Sequence, residues 1–330
     1  MTDELPLILR TADRRRTGLD DRGLRTDHAR GLLHRVAPGS YVDAAEWRAL
    51  SERTQYEVVI RAQMARLSPD VVVSHDSAAA LWRMPSLDGW PGRVHVIDPA
   101  RETPLTRGLV ARHVGPLDEA DVVGGREFLV TSVTRTALDL ALRDGFLVAL
   151  LVFDHALRYY GVTQDDLRAA LGRREKARRR VAVSRAIDFA SADSESPGES
   201  ISHAQMLLLG FEPPELQKEF TEDDRVVART DFYWSGVGVA GEFDGDEKYL
   251  SAAMRGGRSA EQVVVDEKWR TEELLDRHDV NRVVRWNYRV ARTPALLEER
   301  LRRAGVPRRS PAGAAPPRRN AGGDVPIRRG

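Results

Sequence analysis

Residues 226–234 and 237–244 are two runs rich in β-branched and aromatic side chains, separated by Ser235-Gly236, with three carboxylates set into them. Few folds accommodate that pattern. A two-residue break predicts a tight β-hairpin in which Trp234 faces Val237 and Asp231 faces Ala240. Residues opposed across an antiparallel pair project to one side of the sheet, as do residues two apart on one strand. Asp231, Glu242 and Asp244 then share a face, with Glu242 diagonal to Asp231. Three carboxylates on one patch repel one another unless protons or a cation compensate. Hard Mg²⁺ is the natural compensator, with Mn²⁺ as its substitute. Such an ion would polarise a phosphoryl oxygen and lower the pKa of a bound water for in-line attack. Lys248 and Lys268 are the lysines in this region that could stabilise charge developing on the phosphate.

Each of these residues also has a plainer reading. Asp244-Gly245 reads as a turn, Asp231 as an exposed strand residue, Lys248 as a loop residue and Lys268 as a helix-surface lysine. Ser196-Pro197-Gly198-Glu199 has capping-box spacing with proline at the first helical position, so Glu199 reads both as a helix cap and as a further acid of the site.

The surrounding segment orders as a helix from Pro197 to about Leu209, strands at Leu216–Phe220, 226–234 and 237–244, a helix over about 261–277, and a strand at Arg282–Trp286. The string Gly241-Glu242-Phe243-Asp244-Gly245-Asp246-Glu247-Lys248 resembles the E-x-D-G-x-x-H signature of very-short-patch-repair-like endonuclease domains, a branch of the PD-(D/E)XK superfamily. Arg229-Thr230-Asp231-Phe232 resembles their preceding x-D-F. Glu267-Lys268-Trp269-Arg270 and Arg282-Val283-Val284-Arg285-Trp286 resemble their closing helix and strand. Lys248 stands where those domains carry histidine, and Asp244 where the archetypal superfamily lysine would be. The resemblance implies a metal-dependent DNA endonuclease with Asp231, Glu242 and Asp244 as metal ligands and Lys248, Lys268 and Glu199 as further catalytic candidates.

Upstream, residues 1–70 are arginine-rich and mostly helical in pattern, with short strands at 32–36 and 40–43 around the turn-forming Ala37-Pro38-Gly39. Helices followed by a two-stranded hairpin are the layout of a winged helix; a helical cap bearing an incidental hairpin fits equally. Arg22, Arg25, Arg30 and Arg35 are the DNA-binding candidates. Residues 71–180 alternate strands (Val71–Val73, Val94–Ile97) with helices capped by Ser74, by Thr131 or Ser132, and by the Thr163-x-x-Asp166 box. The run 173–180 reads as a solvated helix face. His75, Asp76, His95 and His113 have no recognised metal-ligand spacing and read as structural. The hairpin from Leu33 to Val42, the string Ser74 to Trp82 and the string Val130 to Asp139 resemble AbiEi-like type IV toxin–antitoxin antitoxins. That resemblance implies a DNA-binding winged helix that regulates its own operon, and a cognate toxin as partner.

These readings give an α/β chain: a degenerate winged helix (1–70), an antitoxin-like α/β middle domain (71–190), a restriction-endonuclease-like αβββαβ domain (191–296) and a disordered basic tail (297–330). The absence of cysteine excludes disulfides, zinc-thiolate sites and thiol catalysis. The net charge of +1 hides a basic C-terminal stretch, 301–330, with eight arginines against Asp324 alone. The remainder is mildly acidic, so contact with nucleic acid must come from local patches. The apolar run Phe146–Phe153 is too short to span a bilayer, and Asp3 and Glu4 do not suit a secretory leader, which points to the cytoplasm. The expected function is a metal-dependent DNA endonuclease joined to a DNA-binding regulatory region. The alternative is a non-enzymatic regulator or antitoxin that uses a nuclease fold for binding, and an interaction scaffold is a third reading.

Overall fold

The computed structural model describes residues 5–16, 22–125, 127–175, 177–245 and 279–309. They form a mixed α/β protein that divides into two compact units, Met1–Ala204 and Gln205–Gly330.

The first unit opens with β1 (Leu9–Arg10), α1 (Thr11–Arg16) and α2 (Arg22–Ala29), followed by the hairpin β2 (Leu33–Ala37) and β3 (Ser40–Asp43). β1 pairs with β3, giving a three-stranded antiparallel sheet in the order β1-β3-β2. Asp43 ends the hairpin and caps α3 (Ala44–Ala49), its Oδ1 accepting from the amides of Ala45 (2.7 Å) and Glu46 (3.0 Å). α4 (Glu52–Met64) begins at Ser51, whose hydroxyl accepts from the Thr54 amide.

The two faces of α4 explain why 1–70 and 71–190 form one body instead of two domains. Tyr56, Ile60 and Met64, spaced four apart, pack into the core of a second sheet with Val71, Val73, Val94 and Val96. Val58 and Ala62, on the other side, pack against Val36, Ala37 and Val42 of the hairpin. A helix buried on both sides couples the two sheets.

The second sheet has six strands in the order β6-β7-β5-β4-β9-β8. They are β4 (Val72–Val73), β5 (Val94–Ile97), β6 (Leu105–Arg107), β7 (Val110–His113), β8 (Val122–Gly124) and β9 (Leu129–Thr131). β5/β7 and β4/β9 are parallel; the other pairs are antiparallel. α5 (His75–Leu81) follows β4. α6 (Val133–Asp144) starts at Ser132, whose hydroxyl accepts from the Arg135 amide. α7 (Phe146–Tyr160) buries Ala149, Leu150, Leu151, Val152 and Phe153, the apolar run of the sequence. Among the described residues no helix is long and apolar enough to cross a membrane. α8 (Gln164–Gly172) has the reciprocal Thr163/Asp166 capping box, and α9 (Arg180–Phe189) follows.

The charged run between α8 and α9 is not a solvated helix face. Most of its described residues are turn and coil, and Arg174 turns inward while Arg173, Arg178 and Arg179 stay exposed. Arg174 reaches the Asp121 carboxylate at 2.7 Å, Arg173 pairs with Asp118 at 3.2 Å, and Arg180 donates to the Leu171 carbonyl at 2.6 Å. Buried Asp121 needs cations, and the run supplies them. Lys176 lies outside the described residues.

The division between the units falls within α10 (Pro197–Leu208). The second unit contains a four-stranded sheet of β10 (Glu215–Glu222), β11 (Arg225–Trp234), β12 (Val239–Asp244) and β13 (Arg282–Asn287), in that order. β10, β11 and β12 form an antiparallel meander, and β13 lies parallel to β12. α11 (Tyr288–Arg292) and α12 (Pro294–Ala304) follow. α12 occupies residues assigned above to a disordered tail. It has proline at its first position, buries Leu297, Leu301 and Ala304, and ends at Gly305 in the left-handed conformation. Beyond it, Phe211 and Arg308 form a β-bridge. The expected helix at 261–277 and residues 310–330 lie outside the described residues.

Candidate carboxylate site

The β11–β12 connection is longer than two residues. Trp234 pairs with Val239, Tyr233 with Ala240 and Phe232 with Gly241, leaving 235–238 as the loop. Gly238 sets this register. Its φ is +60°, and a Cβ there would come within 2.7 Å of the Asp279 carbonyl and 2.5 Å of the Asn281 side chain. Those residues precede β13 and are remote in sequence, so local turn chemistry did not reveal them. The register shifts by two positions from expectation, and an even shift preserves facing. Continued one pair further, it sets Asp231 opposite Glu242 instead of diagonal to it, with Asp244 on the same face.

The opposite face locks this arrangement. Phe232 and Trp286 pack there with ring centroids 5.3 Å apart, both fully buried. Gly241 lies beneath them: an added Cβ would fall 2.7 Å from Trp286 and 3.2 Å from the Phe232 Cβ. Gly241→Val is therefore expected to destabilise the second unit by about 1–3 kcal/mol through overpacking, measurable as a lower urea midpoint.

The carboxylates are engaged. Asp231 Oδ2 accepts from the Phe243 amide at 2.8 Å, and Oδ1 from the Gln217 side chain at 3.2 Å. Glu242 is buried and pairs with Arg285 at 2.6 Å. The parallel register places Arg285 beside Glu242 and Asn287 beside Asp244. Arg285 is a site residue that sequence reasoning missed: nothing local in Arg282–Trp286 marks it, and only the β12/β13 register brings it to Glu242. Lys248 and Lys268 lie outside the described residues.

Glu199 serves its own helix. Its two oxygens accept from the Ser196 hydroxyl (2.7 Å) and the Glu195 amide (2.9 Å), while its amide donates to the Ser196 hydroxyl (3.2 Å). This is a variant of the capping reading, reaching one residue further back.

In the first unit Arg22 and Arg25 lie on exposed positions of α2, Arg30 just beyond it, and Arg35 on the outer face of β2. The structure also gathers residues that sequence spacing left apart. His75, His95 and His113 stack together, with His95 Nδ1 and His113 Nε2 2.9 Å apart and the His75 and His113 centroids 3.9 Å apart. Asp76 lies 3.9 Å from His95 and is gripped by both terminal nitrogens of Arg143. Burial lowers all three histidine pKa values, His113 to about 4 with help from the His95 and Arg143 charges. Among the described residues, no group of three or more His, Asp or Glu side chains is arranged to hold a metal ion.

No family model matches the chain. Two uncharacterised proteins of Mycobacterium tuberculosis, Rv2248 of strain H37Rv and MT2308 of strain CDC 1551, are each 28% identical to it over 189 residues, covering 56% of this chain and 68% of their own. Among solved structures, the Rv2827c protein from Mycobacterium tuberculosis aligns with a TM-score of 0.37 and 15% identity, over 64% of this chain and 79% of its own.

Proposed function

We propose that the chain acts on DNA, with a metal-dependent phosphodiesterase centre of the PD-(D/E)XK type in the second unit and a winged-helix DNA-binding and regulatory region in the first. The observation that carries this reading is the facing of Asp231 and Glu242 across β11 and β12, with Asp244 on the same face beside the parallel strand β13. The order of α10, β10, β11, β12 and β13 among the described residues supports this reading. Asp231, Glu242 and Asp244 would hold Mg²⁺ or Mn²⁺, whose chemistry is to polarise the phosphate and activate water. Arg285, beside Glu242, is placed to neutralise a phosphate oxygen. Arg22, Arg25, Arg30 and Arg35 would meet the DNA backbone, and a cognate toxin remains the protein partner implied by the antitoxin resemblance.

A specific observation favours a second reading. The 2.6 Å ion pair gives Glu242 a guanidinium as its counter-charge, so the site is electrostatically compensated by protein alone. On that reading the chain is a non-enzymatic regulator whose nuclease-type fold binds and does not cut.

Calorimetric titration of Mg²⁺ and Mn²⁺ into the full chain, beside a duplex-cleavage assay, separates the two. Saturable binding and cleavage, with cleavage reduced at least about 100-fold in Glu242→Ala, are the expected results. Cleavage unchanged in Glu242→Ala would overturn the assignment of the centre. Neither binding nor cleavage, with promoter binding intact in the variant, would establish the regulator.

A further inference from the structure

The expected DNA contacts of the first unit lie on or next to α2 and β2, but a basic concavity lies elsewhere. A cleft of about 680 Å³ opens between the wing turn at Pro38, the C-terminal end of α4 and the β6–β7 hairpin. Four arginines line it, Arg66, Arg101, Arg107 and Arg112, against one acid, Asp98. The hairpin register explains the convergence. Leu105 pairs with Arg112 and Arg107 with Val110, so Arg107 and Arg112 share a face and stand on neighbouring strands.

The arginines are not equally committed. Arg112 is tied to Asp98 at 2.5 Å. Arg66 donates to the Pro38 carbonyl at 3.2 Å, which fixes the wing turn to the end of α4 and makes the cleft continuous with the wing. Arg101 makes one bond within its loop, from Nε to the Thr103 carbonyl, leaving its terminal nitrogens to the cleft. Arg107 is exposed and has no ion pair among the described residues. After the Arg112–Asp98 pair is discounted, three positive charges face the opening.

We infer that this cleft is the principal DNA-backbone track of the first unit, with Arg101 and Arg107 as phosphate-contacting residues and Arg66 positioning the wing beside them. Guanidinium groups fit phosphate oxygens through paired N–H donors. Charges presented along a groove next to a hairpin wing follow a duplex backbone better than isolated arginines on a short helix do. The occupant is therefore duplex DNA held by its phosphates, without base-edge readout from these residues. The inference rests on the reading of the chain as DNA-acting. It is independent of whether the second unit cuts.

The test measures anisotropy of a labelled mixed-sequence duplex with the full chain in EDTA across a salt series. Arg101→Gln/Arg107→Gln is compared with wild type and with Arg83→Gln/Arg168→Gln, which removes two exposed charges elsewhere in the unit. The cleft double variant is expected to bind about ten-fold more weakly, with a salt dependence shallower by about two in log–log slope. The control pair should leave both unchanged, and circular dichroism should match for all three chains. Wild-type affinity and slope in the cleft variant, or an equal loss in the control, would overturn the assignment. So would a variant that keeps duplex binding but loses binding to polyglutamate, which would make the cleft a site for an acidic protein segment. Because EDTA removes metal chemistry, binding is read here without cleavage, and the metal centre is tested only in the separate cleavage assay. Failure of the cleft and failure of the nuclease reading therefore give different patterns.

Discussion

Arg135→Met is expected to destabilise the first unit by roughly 3–5 kcal/mol, the range for breaking a buried ionic network by removing one partner. Arg135 is buried on α6, and its guanidinium serves three groups at once. One terminal nitrogen donates to Asp121 at 2.8 Å and to the Pro116 carbonyl at 2.9 Å, while Nε lies 2.8–2.9 Å from both oxygens of Asp139. Burial alone would raise the Asp121 pKa, yet the Asp118 amide and the charges of Arg135 and Arg174 hold it below the usual carboxylate range. Asp139 is so thoroughly buried that its pKa is raised even with Arg135 beside it. Methionine keeps much of the stem volume but leaves Asp139 without its cation and Asp121 with less compensation. Urea denaturation at neutral pH should show the loss. Arg168→Met, which removes an exposed arginine paired with Asp165 and Asp188, should change stability by less than about 1 kcal/mol. A loss below about 1 kcal/mol at Arg135 would mean that the arginines of the 173–180 run carry the network unaided.

That network also marks the limit of what the sequence discloses. Signals confined to a few neighbouring residues transferred well: the Ser132 cap of α6, the Thr163/Asp166 box of α8, the Pro38-Gly39 hairpin turn and the strand at Arg282 all stand where their local chemistry puts them. The shared facing of Asp231 and Glu242 was legible because a strand has a period of two and an even register shift conserves it. The shift itself was not, since it depends on Gly238 meeting Asp279 and Asn281. Arg285 was hidden for a related reason: a parallel neighbour of β12 can join it only after a long crossover, so nothing near Glu242 announces its partner. The histidines fit the same pattern. His95 and His113 lie on β5 and β7, parallel strands with β6 between them in sequence, so their spacing along the chain says little about their separation in space. The 173–180 run misled because charge density alone does not reveal a buried counter-ion.

Asp154→Asn is expected to stabilise the protein at pH 8 and to leave it nearly unchanged at pH 4. Asp154 is fully buried on α7, where burial raises its pKa from 3.8 to about 7 despite the Ser191 amide, which donates to Oδ1 at 2.9 Å, and the nearby Ser200 and Ser194 hydroxyls; the Glu199 charge adds to the rise. A carboxyl whose folded-state pKa exceeds its unfolded value contributes stability that is complete below the unfolded pKa. That contribution is lost as pH rises through the folded value. The loss therefore accumulates between about pH 4 and pH 7, and its upper limit is roughly 4 kcal/mol. The half-buried histidines His75, His95 and His113 act in the opposite direction over nearly the same interval. Their pKa values are lowered from 6.5, so the unfolded chain takes up protons first and stability falls as pH drops from 6.5 toward 4. In the wild type the two trends oppose each other, and the net profile is flatter than either. Asparagine is nearly isosteric, can still accept from Ser191, and removes only the carboxyl's titration. The difference in Tm between variant and wild type should thus grow from pH 4 to about 7 and then level off, while the variant alone shows the steeper acid loss set by the histidines. A difference independent of pH would place the Asp154 pKa near its unfolded value and remove the carboxyl from this balance.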